Sequence, residues 1–231
     1  MNGPVSAVIP VHNGRAYLAE AIESVLAQNG GLPGEVIVVD DGSTDGSGDL
    51  ARGFPGVRVL TQARAGYGAA MNRGVAACGG AYLAFLDSDD LWTPDKTASQ
   101  IRALESEPRL DAVFGTLTHF YSPDLDEVSR ARIVCPPDPM PGLCPGAMLI
   151  RREAFLRAGT FDESRTVGQF LDWYLRATEQ GFSAHALPDV AMRRRLHANN
   201  TGLRERAAQA DYARILKAAL DRRRGASGAD R

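Results

Sequence analysis

Cysteine is scarce in this chain. Cys78, Cys135 and Cys144 are three thiols in 231 residues, odd in number and far apart. That pattern excludes a disulfide framework and fits a reducing compartment. Cys135 and Cys144 are also too widely spaced for a zinc knuckle. Long apolar runs are missing, so nothing approaches the roughly 20 residues that span a bilayer. The N-terminus, MNGPVSAVIPV, has no basic segment ahead of its apolar residues and reads as a first strand rather than a signal peptide. One-sided charge is missing too. Lys and Arg number 26 against 28 Asp and Glu, a formal net charge of −2, which leaves no electrostatic footprint for nucleic acid. No internal repeat is visible. These absences imply a soluble, cytoplasmic chain with no nucleic-acid partner and at most peripheral contact with a membrane.

What is present is ordinary globular composition, 44% hydrophobic and 23% charged, enough for one large domain with at most a small appendage. The first half alternates strand and helix patterns. Val5 to Val11 and the uninterrupted apolar run Glu35 to Val39 read as buried strands. Val57 to Leu60 and Ala81 to Leu86 continue the series. Between the first two, Tyr17, Leu18, Ala21, Ile22, Val25 and Leu26 recur at helical spacing, with Asn13 placed as N-cap. A short helix is expected after Ser43-Thr44, a small-residue helix from Gly68 to Ala77, and another from Thr93-Pro94 to about Glu107. That order is βαβαβαβ. It predicts an α/β fold with a doubly wound, mostly parallel sheet and helices on both faces.

The second half is less regular. It offers a strand within Asp111 to Tyr121 and a charged, proline-rich surface excursion from Ser122 to Cys144. A strand from Ala147 to Ile150 then leads to helices over Arg152–Ala158 and Val167–Gln180. Tyr212, Ile215, Leu216, Ala219 and Leu220 form an apolar stripe on a helix from about Glu205 to Arg224. The stripe is expected to pack on the domain or on a second subunit of a homodimer. The final GASGADR is expected to be disordered.

In such sheets the ligand lies beyond the carboxyl ends of the strands. Asp87-Ser88-Asp89 follows the fourth strand there. Two carboxylates at i and i+2 on a turn are hard oxygen ligands suited to Mg²⁺ or Mn²⁺. The plain alternative is an Asx-rich turn capping the next helix. Asp40, after the second strand, can accept bonds from a base N–H or from ribose, or can serve the turn that begins the next helix. Gly66, Gly68 and Met71 fill the positions of a dinucleotide fingerprint but lack its third glycine and do not follow the first strand, which argues against a dehydrogenase. His197, behind Arg193-Arg194-Arg195, can complete a metal shell, while the arginines suit phosphate or a solvated strand face.

Taken together, VSAVIPVHN, EVIVVDDGSTDGS, GYGAAMNRGV, GGAYLAFLDSDDLWTPDK, GAMLIRREAFLRAGTFDES and RRRLHANNTG resemble the family 2 glycosyltransferases of the GT-A fold, in that family's order from Val5 to about Gly202. The resemblance implies a GT-A-like domain over 1–204, with a nucleotide-sugar half to about 107 and an acceptor half from about 108. The terminal helix and tail follow over 205–231. It implies an inverting transfer, dependent on Mn²⁺ or Mg²⁺, from a UDP-sugar to an unidentified acceptor hydroxyl. Pro10 and Asn13 would border the uridine and Asp40 would contact it. Asp87 and Asp89 would be the acid pair, Asp89 as direct metal ligand with His197 nearby.

The chain departs from the pattern at His12, where many members are aromatic, and at Met71, where many are basic. The acidic pair that supplies the catalytic base falls on Gln169-Phe170, which cannot accept a proton. Asp172 is the expected substitute, with Asp162 and Glu163 as further options. The competing role for Asp172 is a helix cap or an ion pair with Arg176 at i+4. Two other readings remain. A sugar nucleotidyltransferase would need a glycine-rich, basic loop where this chain has PVHNGRAYL. A non-catalytic nucleotide-sugar-binding protein would need no base.

Overall fold

The computed structural model describes residues 5–30, 33–137, 139–198, 200 and 209–229. Parts of the late motif (Asn199, Thr201 and Gly202) and the expected start of the terminal helix lie outside them. The first half is built from β1 (Val5–Val11), α1 (Arg15–Leu26), β2 (Glu35–Asp41), α2 (Ser47–Arg52), β3 (Val57–Gln62), α3 (Tyr67–Ala77) and β4 (Tyr82–Phe85). Next come β5 (Leu91–Trp92), α4 (Lys96–Ser106), β6 (Ala112–Tyr121), α5 (Glu127–Arg132) and β7 (Met140–Pro141). The chain continues through a 3₁₀ turn at Pro145–Ala147 to β8 (Met148–Arg151), α6 (Arg152–Ala158), α7 (Gln169–Glu179) and β9 (Ala184–Leu196), and ends in α8 (Gln209–Ala229).

Among the described residues the strands form one nine-stranded sheet, ordered β3-β2-β1-β4-β8-β6-β9-β5 with β7 added on β6. The first four are parallel. β8 runs antiparallel to β4 and β6, while β9 runs parallel to β6. The order reverses at β1, between β2 and β4, so the loops leaving β1 and β4 diverge at one edge of the sheet. That is where such folds place a ligand.

Continuous apolar strands follow from burial on both faces. On one side Val36 and Val38 meet Leu18, Ile22, Val25 and Leu104 of α1 and α4. On the other, Ile37 and Val39 meet Met71 and Val75 of α3, and an aromatic group of Phe85, Phe155, Phe161 and Trp173 fills in behind them. Phe155 and Trp173 stack at 5.1 Å, and the Trp173 Nε1–H donates to the Gly159 carbonyl at 2.8 Å. Small residues let α3 sit close to the sheet, as expected of a backbone that approaches a strand. A Cβ on Gly74 would fall 2.4 Å from Val8 Cγ1 and 3.2 Å from Val39 Cγ2.

Several expectations need correction. Asn13 does not cap α1. Gly14 holds that position, and Asn13 takes a left-handed backbone (φ 52°) while its Oδ1 accepts the Thr44 N–H at 2.8 Å. The Asx side chain was spent across the loop instead of along the helix. β9 was not foreseen. Its pairing with β6 shifts register around Thr116, opposite the Leu187–Asp189 stretch, so Pro188 and Asp189 break the period of two. The terminal segment continues as helix through 225–229 rather than losing order. Ile215 and Ala219 of α8 are buried, with Ile215 against Gly168 at the head of α7 and Arg222 paired to Glu179 at 2.7 Å, so this helix docks on its own domain. Among the described residues no helix is long and apolar enough to cross a membrane.

The close seat of α3 gives a direct test. Gly74→Ala should overpack the α3–sheet contact and cost about 1–3 kcal/mol of stability, read as a lower melting temperature. An unchanged melt would mean that α3 does not press on the sheet at this point.

Candidate active site

Three strand ends meet at the reversal point. β1 delivers Pro10 within the strand and His12 and Asn13 beyond it, β2 delivers Asp40 and Asp41, and the turn after β4 delivers Asp87 to Asp90. The turn is wedged tightly. A Cβ on Gly14, at the head of α1, would come 2.9 Å from Ser88 Oγ, so the β1–α1 corner and the acid turn touch directly.

The centre is a group of three carboxylates. One oxygen from each of Asp87, Asp89 and Asp90 lies within 4.8 Å of the others. Asp87 accepts the Tyr67 hydroxyl at 3.1 Å. Asp90 is buried and accepts the Arg195 backbone N–H at 2.9 Å. Asp89 Oδ2 lies 2.9 Å from His197 Nε2. Burial, and then the charge of Asp89, pushes Asp87 up to about 6. Burial together with the charges of Asp89 and Asp87 pushes Asp90 well above the carboxylate range. Tyr67 is raised by burial and by Asp87. Three crowded hard-oxygen donors, of which Asp87 and Asp90 have raised proton affinity, are a donor set that fits Mg²⁺ or Mn²⁺.

The turn is held from behind by Arg195, which is buried and not on the solvated strand face that its arginine run suggests. Arg195 is 1% exposed. Its Nε–H donates to the Asp89 carbonyl at 3.0 Å, and its Nη2 pairs with Glu20 Oε2 of α1 at 2.9 Å. The guanidinium lies 4.7 Å from the Tyr17 ring and 4.6 Å from the Phe120 ring. Two residues on, the His197 ring packs on Tyr17 at 4.8 Å, and the His197 N–H donates to Asn200 Oδ1 at 2.6 Å. Asp90, the third acid, was legible only as the last letter of DSDD.

On the β2 side, Asp40 is buried, accepts the Ser43 N–H at 2.9 Å and lies against Gly48 of α2. Its neighbour Asp41 organises the rim. It accepts Gln62 Nε2 at 2.8 Å, the Ala65 N–H at 2.8 Å and the Gly66 N–H at 2.9 Å, and pairs with Arg64. Burial pushes its carboxyl up, but these donors outweigh burial and hold it below the usual range. His12 is tied to the Asp41 carbonyl at 2.9 Å, and Met71 is fully buried in the core under α3.

Asp172 forms the ion pair with Arg176 that its i+4 spacing offers. It is 3% exposed in the first turn of α7. One oxygen accepts Arg165 Nη2 at 3.1 Å and the other Arg176 Nε at 3.0 Å. Arg176 also donates to the Ala158 and Thr160 carbonyls. The i,i+4 ion pair therefore has both carboxylate oxygens occupied, and Asp172 fastens the 158–165 loop to α7. Gln169 is buried and donates to the Arg165 carbonyl at 2.8 Å, a second fastening of that loop.

Strand ends meeting over an acid turn define an α/β domain of the GT-A type. The S. aureus TarS 1–349 structure in complex with UDP-GlcNAc matches with a TM-score of 0.72 at 16% identity, covering 94% of this chain and 65% of that one. The TarS 1–349 complex with UDP gives 0.66 at 17% identity over 84% and 60%. At that identity the likeness is one of fold. The model of Glycosyl transferase family 2 matches residues 6–158, more than half of the chain, and the protein belongs to that family. An uncharacterized glycosyltransferase of Nostoc sp. is 38% identical over 120 residues, 50% of this chain and 36% of the relative. Glycosyltransferase GlyG of Streptococcus pneumoniae is 34% identical over 129 residues, 54% of this chain and 42% of the relative. The matched region thus spans well under half of these relatives.

The carboxylate cluster generates a pH prediction. In the metal-free protein the folded state binds protons on Asp87 and Asp90 that the unfolded chain has released. Stability should therefore fall as pH rises from the ordinary carboxylate value of 3.8 through about 6. A divalent cation competes with those protons. The melting shift produced by Mn²⁺ should be small below pH ~5 and large above pH ~7, and Asp87→Asn should flatten both trends. A Mn²⁺ shift independent of pH would contradict the assignment.

Proposed function

We propose that this chain is a glycosyltransferase that moves a sugar from a nucleoside-diphosphate donor, a UDP-sugar, to an acceptor hydroxyl, using Mn²⁺ or Mg²⁺ and inverting the anomeric centre. The observation that carries the reading is the group of Asp87, Asp89 and Asp90 within 4.8 Å at the reversal point of the sheet, with His197 on Asp89. Two independent facts support it. The chain belongs to a glycosyltransferase family, and the fold neighbours include complexes with UDP and with UDP-GlcNAc.

Asp89 and Asp87 would hold the cation, with His197 beside them. When bound, the cation supplies Lewis-acid stabilisation of the charge developing on the leaving diphosphate. The chain's own residues do the rest. Arg195 and Asp90 fix the turn that aims the carboxylates. Pro10, Asn13 and Asp40 border the nucleoside, with Asp41 holding the 64–66 loop against them. The acceptor half, from about residue 108, places the incoming hydroxyl in line with the anomeric carbon. The second reading, a nucleotide-sugar-binding protein without transfer, is favoured by one observation. The head of α7 carries Gln169 and Phe170, and Gln169 is spent on the Arg165 carbonyl.

Two measurements separate these readings. In calorimetry, UDP should bind with Mn²⁺, lose affinity in EDTA, and lose it again in Asp89→Ala. Equal affinity in all three conditions would remove the metal from the account. Release of UDP from a panel of UDP-hexoses and UDP-N-acetylhexosamines should occur with the wild-type chain. Binding without release under any condition would establish the second reading.

A further inference from the structure

Transfer to a hydroxyl requires a group that takes its proton, positioned beside the reacting carbon. The start of α3 marks that neighbourhood. The Tyr67 hydroxyl reaches Asp87, and the next residue, Gly68, lies directly beneath the 162–163 turn and the head of α7. A Cβ on Gly68 would be 3.2 Å from the Asp162 carbonyl, 3.5 Å from Glu163 Cα and 3.6 Å from Gln169 Cγ. A segment carrying two acids therefore roofs the start of the helix whose Tyr67 hydroxyl reaches the carboxylate cluster.

The acids in this region differ in what their oxygens already do. Asp172 has a guanidinium on each oxygen. Asp162 accepts the Ser164 N–H at 3.0 Å and its hydroxyl at 2.6 Å on one oxygen, and its other oxygen forms an ion pair with Arg165, 3.1 Å from Nε. Glu163 is exposed, and among the described residues no arginine or lysine pairs with it. Its hydrogen bond comes from the neighbouring helix. Asn72 of α3 donates from Nδ2 to Glu163 Oε1 at 2.8 Å. Asn72 is itself clamped by the Phe161 backbone, donating to its carbonyl and accepting its N–H, each at 2.9 Å. The clamp orients Oε1, and among the described residues Oε2 accepts no hydrogen bond.

We propose that Glu163 is the catalytic base and that Asn72 is its positioning residue. The inference rests on the donor reading above. In the step, the acceptor O–H bond breaks and its proton passes to Glu163 Oε2. The oxygen's electron pair forms the new bond to the anomeric carbon. The bond from that carbon to the diphosphate oxygen breaks, and its electron pair leaves on UDP. The base thus comes from the loop before α7 rather than from the head of that helix, and Asp172 is released for its structural ion pairs.

The test uses the full chain with Mn²⁺ and the UDP-sugar panel, following UDP release to water. Glu163→Gln keeps a carbonyl oxygen for Asn72 and removes basicity. It should leave UDP affinity and the melting temperature at wild-type values while lowering turnover by about 10²–10⁴-fold. Glu163→Asp should recover part of that loss. Asn72→Ala should lower kcat without weakening UDP binding. Wild-type turnover in Glu163→Gln would overturn this inference and leave the donor reading intact. A wild-type chain that binds UDP and releases none from any sugar would also overturn it. A wild-type chain that binds no UDP would overturn the donor reading itself.

Discussion

A buried guanidinium holds this site together. Arg195 has almost no contact with water, and a charge in that position is tolerated only when it is paired and its donors are satisfied. Its partners come from three parts of the chain: Glu20 on α1, the Asp89 carbonyl on the acid turn, and the rings of Tyr17 and Phe120. Satisfying that one cation fixes α1, the turn after β4 and the end of β9 relative to one another. His197 is carried to Asp89 as a consequence, because it lies two residues along the same strand end. Asp90 is drawn in by the Arg195 backbone N–H. Breaking such a pair strands a buried charge, so the arrangement resists partial alternatives.

The same constraint explains how a site of one sign can exist in a chain with little net charge. Three carboxylates are crowded at the end of β4, and burial first, then their mutual repulsion, raises the proton affinity of Asp87 and Asp90. The fold tolerates that repulsion because the turn is gripped by Arg195 behind and by Ser88 against the α1 corner. Asp41 does the opposite job at the neighbouring strand end. Its oxygens are saturated by N–H donors and Arg64, so it shapes the loop and offers little charge to a ligand. Adjacent aspartates at one sheet edge thus divide into a pair that frames the site and a crowded group at its centre.

Much of the first half was legible in the sequence for a physical reason. Strands buried on both faces must be apolar without interruption, and EVIVV and AYLAFL announce themselves that way. Acidic and turn residues after each strand then point to one edge, which located Asp40, Asp87 and Asp89. The second half resisted because its strands are only partly covered. β9 carries Pro188, Asp189 and three arginines, and a bulge opposite Gly115 shifts its period, so pattern alone reads it as loop. Local side-chain chemistry was harder still. Nothing in sequence spacing says that Asn13 bonds across to Thr44, that Arg195 is buried, or that Asp172 takes Arg165 as well as Arg176. Those choices are made by residues distant in the chain.

The central claim is that the strand-end acids form a donor site for a UDP-sugar and a divalent cation. A crystal structure of the chain grown with UDP and Mn²⁺ tests it most directly. The account predicts the ion on Asp89 and Asp87, with the uracil lying between the β1 and β2 ends beside Asp40. UDP bound away from these strand ends, or an ion held without Asp89, would contradict it.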